Sequence, residues 1–455
     1  MNKRNIALIS LLIIIETISA QSPLYTAEEL YELALENSSA LTEKTARERA
    51  AGYRVREAFS RGGPTVDFET TMSYITNPDT LTVEAGTLGT LPPQMGALPM
   101  PMEDTVFEMS GNTFYNFRLI VNQPLFTWGK IFNALQATKE GAAAAVLDTI
   151  KTKDQLKTEI RINCLSLHHL KEIELAVSRQ SEIASRLEKI ASDSYKNGMI
   201  LQTEFLDAQV KRKEADLTGN MIKQQIDQVT LNLTYLTGTE LTPVMIETRE
   251  LQGEIPDSWE EIFRKAQNNN RDLSMLRHSI SAEEYKSKIQ KGDYYFKPDL
   301  AFHMELSYSG SYFPLIQEEW HNEDKGNLTL TLAIQSPIAD FGGMYASGKA
   351  VEEELKALKA SYENSIEQIE QFIRQTISLI ELNKMNIDYY SERIEIDLQM
   401  MNQKEKEWLS GYGDEKDFLI HQISYYSDII LLNQELISLG RNYYKLENLQ
   451  GNVDN

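Results

Sequence analysis

Gln123-Pro124-Leu125-Phe126-Thr127-Trp128-Gly129-Lys130 is answered 213 residues later by Ser336-Pro337-Ile338-Ala339-Asp340-Phe341-Gly342-Gly343. Each stretch carries a proline, then an aromatic followed by glycine, and each opens a long segment free of proline. At the same offset Gly198 falls on Gly411, Gly238 on Gly451, Phe205-Leu206 on Phe418-Leu419 and Gln209 on Gln422. Tyr195 meets Trp408, and Leu233 and Leu236 meet Leu446 and Leu449. The register needs no gap from Phe114 to Gly238, so the chain is written twice.

Upstream the offset changes. Asn37 pairs with Asn269 and Tyr53 with Tyr285 at 232, and Pro64 with Pro298 and Tyr74 with Tyr308 at 234. The fall from 234 to 213 puts 21 extra residues between Tyr74 and Phe114 of the first repeat. Insertions of that size belong in surface loops. With Pro78, Pro92, Pro93, Pro99, Pro101 and the methionines Met95, Met100 and Met102, this one reads as an exposed loop. Those methionines lack the repeated clustering that copper binding would need.

Each repeat predicts the order helix, strand, loop, strand, long helix, turn, helix. The first helices span roughly 26–59 and 258–292, and the strand pairs 65–75 with 113–124 and 299–310 with 327–337. Phe117, Leu119 and Val121 share one face, as do Leu328, Leu330 and Leu332, while Asn116 and Arg118, or Thr329 and Thr331, take the other. Such strands suit a sheet with one wet and one apolar side. The long helices, about 127–195 and 341–408, would each reach roughly 100 Å, too long for a compact domain.

Two apolar seams run along the first long helix. Leu156, Ile160, Leu167, Leu170, Val177 and Ala184 form one, and Ile162, Leu165, Ile173, Ala176, Ile183, Leu187 and Ile190 the other. In the second repeat Ile366, Ile369, Ile373, Ile380 and Ile387 keep the spacing. One seam suits a two-stranded coiled coil. Two seams call for a neighbour on each side, as in a ring of helices.

Bulk features narrow the class. Lys3 and Arg4 precede an apolar run from Ile6 to Ile15 and a small-residue site at Ser19-Ala20, the anatomy of a signal peptide over residues 1–20. No Cys stands at that junction, so no lipoprotein anchor is expected. No later segment has the length of a transmembrane helix, which leaves the β-barrel as the route into a membrane. Cys164 is the single cysteine, which excludes an intramolecular disulfide framework and a multi-thiolate metal site. A net charge of -22 excludes nucleic acid as a partner. The chain divides into the signal peptide, a first repeat over 21–240, a connector over 241–257 and a second repeat over 258–455 with a short tail.

The duplication, the order of elements and the export signal resemble the TolC outer-membrane efflux protein family. Three local motifs carry the likeness: the quoted junctions, the hairpins Tyr195-Lys196-Asn197-Gly198 and Trp408-Leu409-Ser410-Gly411 with their returning Glu204-Phe205-Leu206-Asp207-Ala208 and Asp417-Phe418-Leu419, and the helix end Leu233-Thr234-Tyr235-Leu236-Thr237-Gly238. The resemblance implies a mixed, mostly α fold: a homotrimer whose chains each give four strands to one shared outer-membrane β-barrel, continuous with a coiled-coil-like α-helical barrel. It implies a passive efflux or type I secretion duct in the outer membrane, reaching into the periplasm. Its partners would be outer-membrane lipid, a periplasmic adaptor protein and an inner-membrane pump of RND, ABC or similar type. The rival expectation is a periplasmic or cell-surface coiled-coil scaffold, which would not need paired amphipathic strands.

In the family reading Glu204, Asp207 and Asp417 face a tunnel aperture where carboxylate rings would bind cations. The same placement suits acids that offset a helix macrodipole and cap free N–H groups, with Asp414 and Asp417 as a capping pair. Ile420 stands where the first hairpin has Asp207, which thins any acidic ring. The tips Asn197, Gly198 and Met199, with Gly411, Tyr412 and Gly413, are candidate adaptor-docking surface, and their glycines equally serve the left-handed turn between antiparallel helices. Pro124, Gly129, Pro337 and Gly342 mark the strand-to-helix junctions. Adjacent His168 and His169 diverge by about 100° on a helix and are expected to be solvated or pore-facing. Glu318-Glu319-Trp320-His321-Asn322-Glu323-Asp324 reads as a solvated loop. No phosphate loop, nucleophile elbow or zinc motif occurs, so no enzyme, cofactor or metal is expected.

Overall fold

The computed structural model describes residues 24–76, 80–83, 104–108, 112–247, 258–294, 297–318, 326–336, 338 and 340–451. Expectations for the signal peptide, most of the first long loop, residues 248–257, the acidic residues 319–324 and Pro337 lie outside these residues. The elements in chain order are α1 (Ala27–Asn37), α2 (Ser39–Ser60), β1 (Thr65–Tyr74), β2 (Thr80–Val83), β3 (Thr105–Glu108), β4 (Thr113–Phe126), α3 (Lys130–Lys196) and α4 (Gln202–Thr237). The second repeat supplies α5 (Trp259–Asn269), α6 (Arg271–Tyr294), β5 (Asp299–Gly310), β6 (Gly326–Gln335), α7 (Gly343–Leu409) and α8 (Glu415–Leu449). Contacts divide the chain into a helical unit (residues up to 50, 143–279 and 358–455) and a sheet unit (51–142 and 280–357).

In the helical unit the two seams of α3 are buried against different neighbours. Leu156, Ile160, Leu167, Leu170 and Val177 pack with Ile222, Ile226 and Leu233 of α4 and with Leu30 and Ala34 of α1. Ile183 meets Phe418 and Leu419 of α8, and Leu165 lies against Gly440 of the same helix. Helix α8 packs on α7 through Leu439 and Leu446 against Ile373 and Ile380. The row therefore runs α4, α3, α8, α7. Fully burying one such Leu or Ile stabilises by about 1.5–3 kcal/mol, so the seams, rather than helix propensity, hold these helices together.

The single first helix expected in each repeat is broken in the structure. Helix α1 ends where Ser38 turns extended (φ -68°, ψ 116°), and α5 ends likewise at Asn270 (φ -59°, ψ 127°). Each break lies against the end of a returning helix. Asn37 Nδ2 donates to Thr237 O at 2.9 Å, and Asn270 Nδ2 donates to Leu449 O at 3.1 Å. The closing glycines explain the pairing seen in sequence. Gly238 and Gly451 have φ of 65° and 68°, and a Cβ on either would come within 2.8 Å of Asn37 Cβ or Asn269 O respectively. Only glycine meets both demands.

The sheet unit is a four-stranded antiparallel sheet in the order β1-β4-β5-β6, with β2 and β3 pairing separately as Thr80–Val83 against Thr105–Glu108. The first long loop thus contains a short hairpin that its proline-rich composition concealed. The central pair β4 and β5 joins the two repeats, and β1 and β6 are the edges.

Candidate functional site: sheet faces, strand-to-helix junctions and hairpin tips

Cross-strand register makes the sheet two-faced. Phe68, Leu119, Leu306 and Leu328 lie in one row, and Val66, Val121, Met304 and Leu330 in another, all on the same side. The opposite face is polar: Glu69 pairs with Arg118 at 2.6 Å, and His303 Nδ1 lies 2.7 Å from Asn122 Oδ1. Phe68, Met72, Leu328, Leu330, Leu332 and Ile334 are exposed despite their size. A contiguous apolar face of this kind marks an interaction surface. Among the described residues no helix is long and apolar enough to cross a membrane.

At the first junction Pro124 sits where β4 slips register against β5, between Pro124 and Phe126. A residue without an N–H fits there, at an irregular strand end. Trp128 and Gly129 then adopt consecutive left-handed conformations (φ 53° and 81°) before α3 begins. For an L-residue that conformation costs roughly 1–2 kcal/mol. Local contacts offset it. Trp128 Nε1 donates to Pro298 O at 2.7 Å, Phe126 meets its ring edge-on at 4.9 Å, and the Lys297 ammonium lies 5.2 Å from its centre. Lys130 pairs with Asp299 at 2.8 Å.

At the second junction Phe341 and Gly342 repeat the geometry (φ 54° and 91°). The Asp340 carboxylate accepts from the N–H of Gly342 at 3.2 Å and from that of Met344, capping α7. Phe341 itself is fully exposed, at 113% against 45% for Trp128.

The two hairpin tips are built alike. Gly198 (φ 71°) and Gly411 (φ 76°) close α3 and α7. Met199 N donates to Ser194 O at 2.8 Å, and Tyr412 N to Glu407 O at 3.0 Å, the six-to-one bond of a Schellman end. Behind them Tyr195 stacks on Phe205 and Trp408 on Phe418, both with centroids 5.6 Å apart. Met199 and Tyr412 project outward, 75% and 92% exposed.

The aperture candidates separate. Glu204 and Asp207 line one cleft of about 730 Å³ together with Ile420, Lys211 and Lys416, and Asp417 is not among the lining residues. Asp207 pairs with Lys211 at 3.0 Å. Capping falls to Asp414, which accepts from Lys416 N at 3.1 Å, whereas Glu204 follows Leu201, an N-cap without a side-chain bond.

His169 corrects the expectation for the histidine pair. It is buried, with Nδ1 2.8 Å from Asn433 Oδ1 of α8, because the second seam of α3 turns that face inward. A buried charged group also escaped the sequence reading. Asp428 is enclosed between α7 and α8, 2.9 Å from Arg393. Burial, only partly opposed by Arg393, pushes its carboxyl above the ordinary range, and Asp397 adds to the rise. Burial likewise pushes the Cys164 thiol up to about 12, so it is not a nucleophile at neutral pH. Among the described residues no group of three or more His, Cys, Asp or Glu is placed to hold a metal ion.

The outer membrane efflux protein family model matches residues 30–239, the first repeat. The first repeat thus matches this family, and the second repeat carries the same order of elements. Solved structures share the fold of long helices and a four-stranded sheet. VceC of Vibrio cholerae is 15% identical, with a TM-score of 0.72 over 93% of this chain and 96% of that one. CmeC of Campylobacter jejuni is 14% identical, with a TM-score of 0.72 over 94% and 85%. The open state of MtrE from Neisseria gonorrhoeae is 13% identical, with a TM-score of 0.68 over 94% and 89%. A search of curated protein sequences finds no match.

Proposed function

We propose that this chain is an outer-membrane export channel that works as a homotrimer, each chain giving its four strands to one twelve-stranded barrel in the outer membrane. The helices continue as a periplasmic tunnel that docks an adaptor and an inner-membrane pump at the hairpin tips. Transport is passive, with energy supplied by the pump. One observation carries the reading: the sheet has a largely apolar, exposed face and, among the described residues, two open edges, at β1 and β6. Open edges in lipid leave backbone amides unpaired at several kcal/mol each, and closure with further copies removes them. A coiled-coil scaffold has no use for such a sheet.

The polar face would line the lumen, where Glu69, Arg118, His303 and Asn122 meet water. Glu204 and Asp207 set the charge near the narrow end, and Met199 and Tyr412 offer the adaptor two apolar anchors. The mass of the purified protein in detergent tests the assembly: three copies support it, and a stable monomer contradicts it. Replacing Met199 and Tyr412 with Asp tests docking, with lost export from intact trimers expected and unimpaired export opposing it.

A further inference from the structure

The apolar face of the sheet ends at the first strand-to-helix junction, in a row fixed by the register. Phe126 lies opposite Leu300, and Leu300 opposite Ile334. Upward from that row the face runs along β4 through Val121, Leu119 and Phe117 to Tyr115, with Gln123 as its polar exception. The Gln123 side chain is spent on Gly62 O, to which Nε2 donates at 2.9 Å. At about 3.4 Å per residue and a barrel tilt of about 40°, the stretch from Tyr115 to Phe126 stands roughly 28 Å tall. That is close to the thickness of a bilayer's apolar core.

Trp128 stands at the lower border of this band. Its ring meets Phe126 edge-on at 4.9 Å, and its N–H is taken by Pro298 O at 2.7 Å. The Lys297 ammonium lies 5.2 Å from the centre of the same ring. Among the described residues Lys297 has no carboxylate partner. The nearest acid in sequence, Asp299, is paired with Lys130 at 2.8 Å. The junction thus offers, in order, an unneutralised cation, an indole ring and an apolar wall. Trp is favoured where one end of its ring is wet and the other apolar, and Lys binds phosphate as a point charge.

We infer that Trp128 and Lys297 bind the phosphate of a glycerophospholipid in the leaflet nearest the helices, with its acyl chains along Phe126, Leu300 and Ile334. The site deepens the membrane reading above and rests on it. Both halves of the site are needed to choose this occupant. A free anion has no use for the apolar wall, and a purely apolar partner has none for the ammonium. The wall is open to such a ligand, since Phe126, Trp128 and Ile334 are all exposed.

The second junction shows what the site requires. There the counterpart of Lys297 is Gly63, which carries no charge, and the Asp340 carboxylate stands beside Phe341 to cap α7. An anion would be repelled where the first junction attracts it. The lipid site therefore belongs to the first junction and not to its repeat.

Native mass spectrometry of the delipidated full-length protein in detergent, titrated with dioleoylphosphatidylglycerol, tests the inference. One tightly held lipid per chain is expected. Lys297→Gln should weaken its binding about five-fold, the equivalent of about 1 kcal/mol for a basic side chain at an anionic lipid surface. Lys297→Arg should bind as the wild type does. Lys349→Gln makes the same change of charge at a residue paired with Glu352 at 2.8 Å, and should leave lipid binding unaltered. Inorganic phosphate in excess should not displace the lipid, and displacement would overturn the lipid in favour of a plain anion site. Undiminished binding by Lys297→Gln in a protein of trimeric mass overturns the site and leaves the channel standing. A monomeric wild-type protein that takes up no lipid overturns both.

Discussion

The first strand-to-helix junction is satisfied within the chain and the second is not, although the two have the same backbone. At the first, Trp128 is hydrogen-bonded, stacked and covered by a cation; at the second, Phe341 holds the same left-handed turn with its ring fully exposed. The helices show the same asymmetry. Gly440 of α8 lies against Leu165 of α3, whereas its first-repeat counterpart Asp227 on α4 is exposed. Leu379, Leu382 and Ile396 on α7, and Leu217, Met221 and Tyr235 on α4, leave apolar surface at both ends of the helical row. A duplicated chain with one seam closed and its double open has the form that the proposed trimer requires of its component.

The largest expected effect breaks the closed seam. A Cβ at Gly440 would stand 1.9 Å from Leu165 Cδ2, so Gly440→Val should cost about 1–3 kcal/mol by overpacking. The exposed Asp227→Ala should stay within about 0.5 kcal/mol. Thermal unfolding of the purified variants measures both, and equal shifts would remove the distinction between the seams.

Next come the junction glycines. Gly129→Val and Gly342→Val each place a β-branched residue at φ of 81° or 91°, at roughly 1–3 kcal/mol of backbone strain. Trimer yield on semi-native gels should fall in both, and undiminished yield would dissociate the turn from assembly.

A finer cut distinguishes the two aromatics. Trp128→Phe removes the bond to Pro298 and should cost about 1 kcal/mol in folding without weakening the trimer. Phe341→Ala should lower the temperature at which the trimer dissociates while leaving the monomer's secondary structure unchanged. The reverse pattern would place Phe341 inside the fold and Trp128 at the interface.

The smallest effect concerns the buried acid between α7 and α8. The carboxyl of Asp428 is raised in the folded state, so it binds its proton more tightly there than in the unfolded chain. Its contribution to stability is full below the ordinary carboxyl range and is lost as pH rises through that range to the raised folded value. Asp428→Asn should flatten the fall of melting temperature over that window. An unchanged slope would show that Asp428 titrates as an ordinary carboxyl.

Much of this was legible in the sequence because the duplication supplies its own control. The offset of 213 locates both junctions, both tips and both long helices, and strand alternation assigns the faces of the sheet. What escaped depends on neighbours that periodicity does not name. The break after Asn37 is set by contact with Thr237, two hundred residues away. His169 looked solvated because helical spacing separates it from His168 but does not say which of the two faces α8. The partition of Glu204 and Asp207 from Asp417 follows from the packing of α8 against the first hairpin. The pairing of Lys130 with Asp299 and of Trp128 with Pro298 crosses from one repeat to the other, and a residue-by-residue match of the repeats cannot show it until the sheet order is known.

Single-channel conductance of the detergent-purified protein in a planar bilayer tests the central claim most directly. Small, discrete currents are predicted, blocked by divalent cations, with the block weakened more by Glu204→Ala with Asp207→Ala than by Asp417→Ala. A protein of the right mass that never inserts, or that inserts without conducting, would contradict the duct.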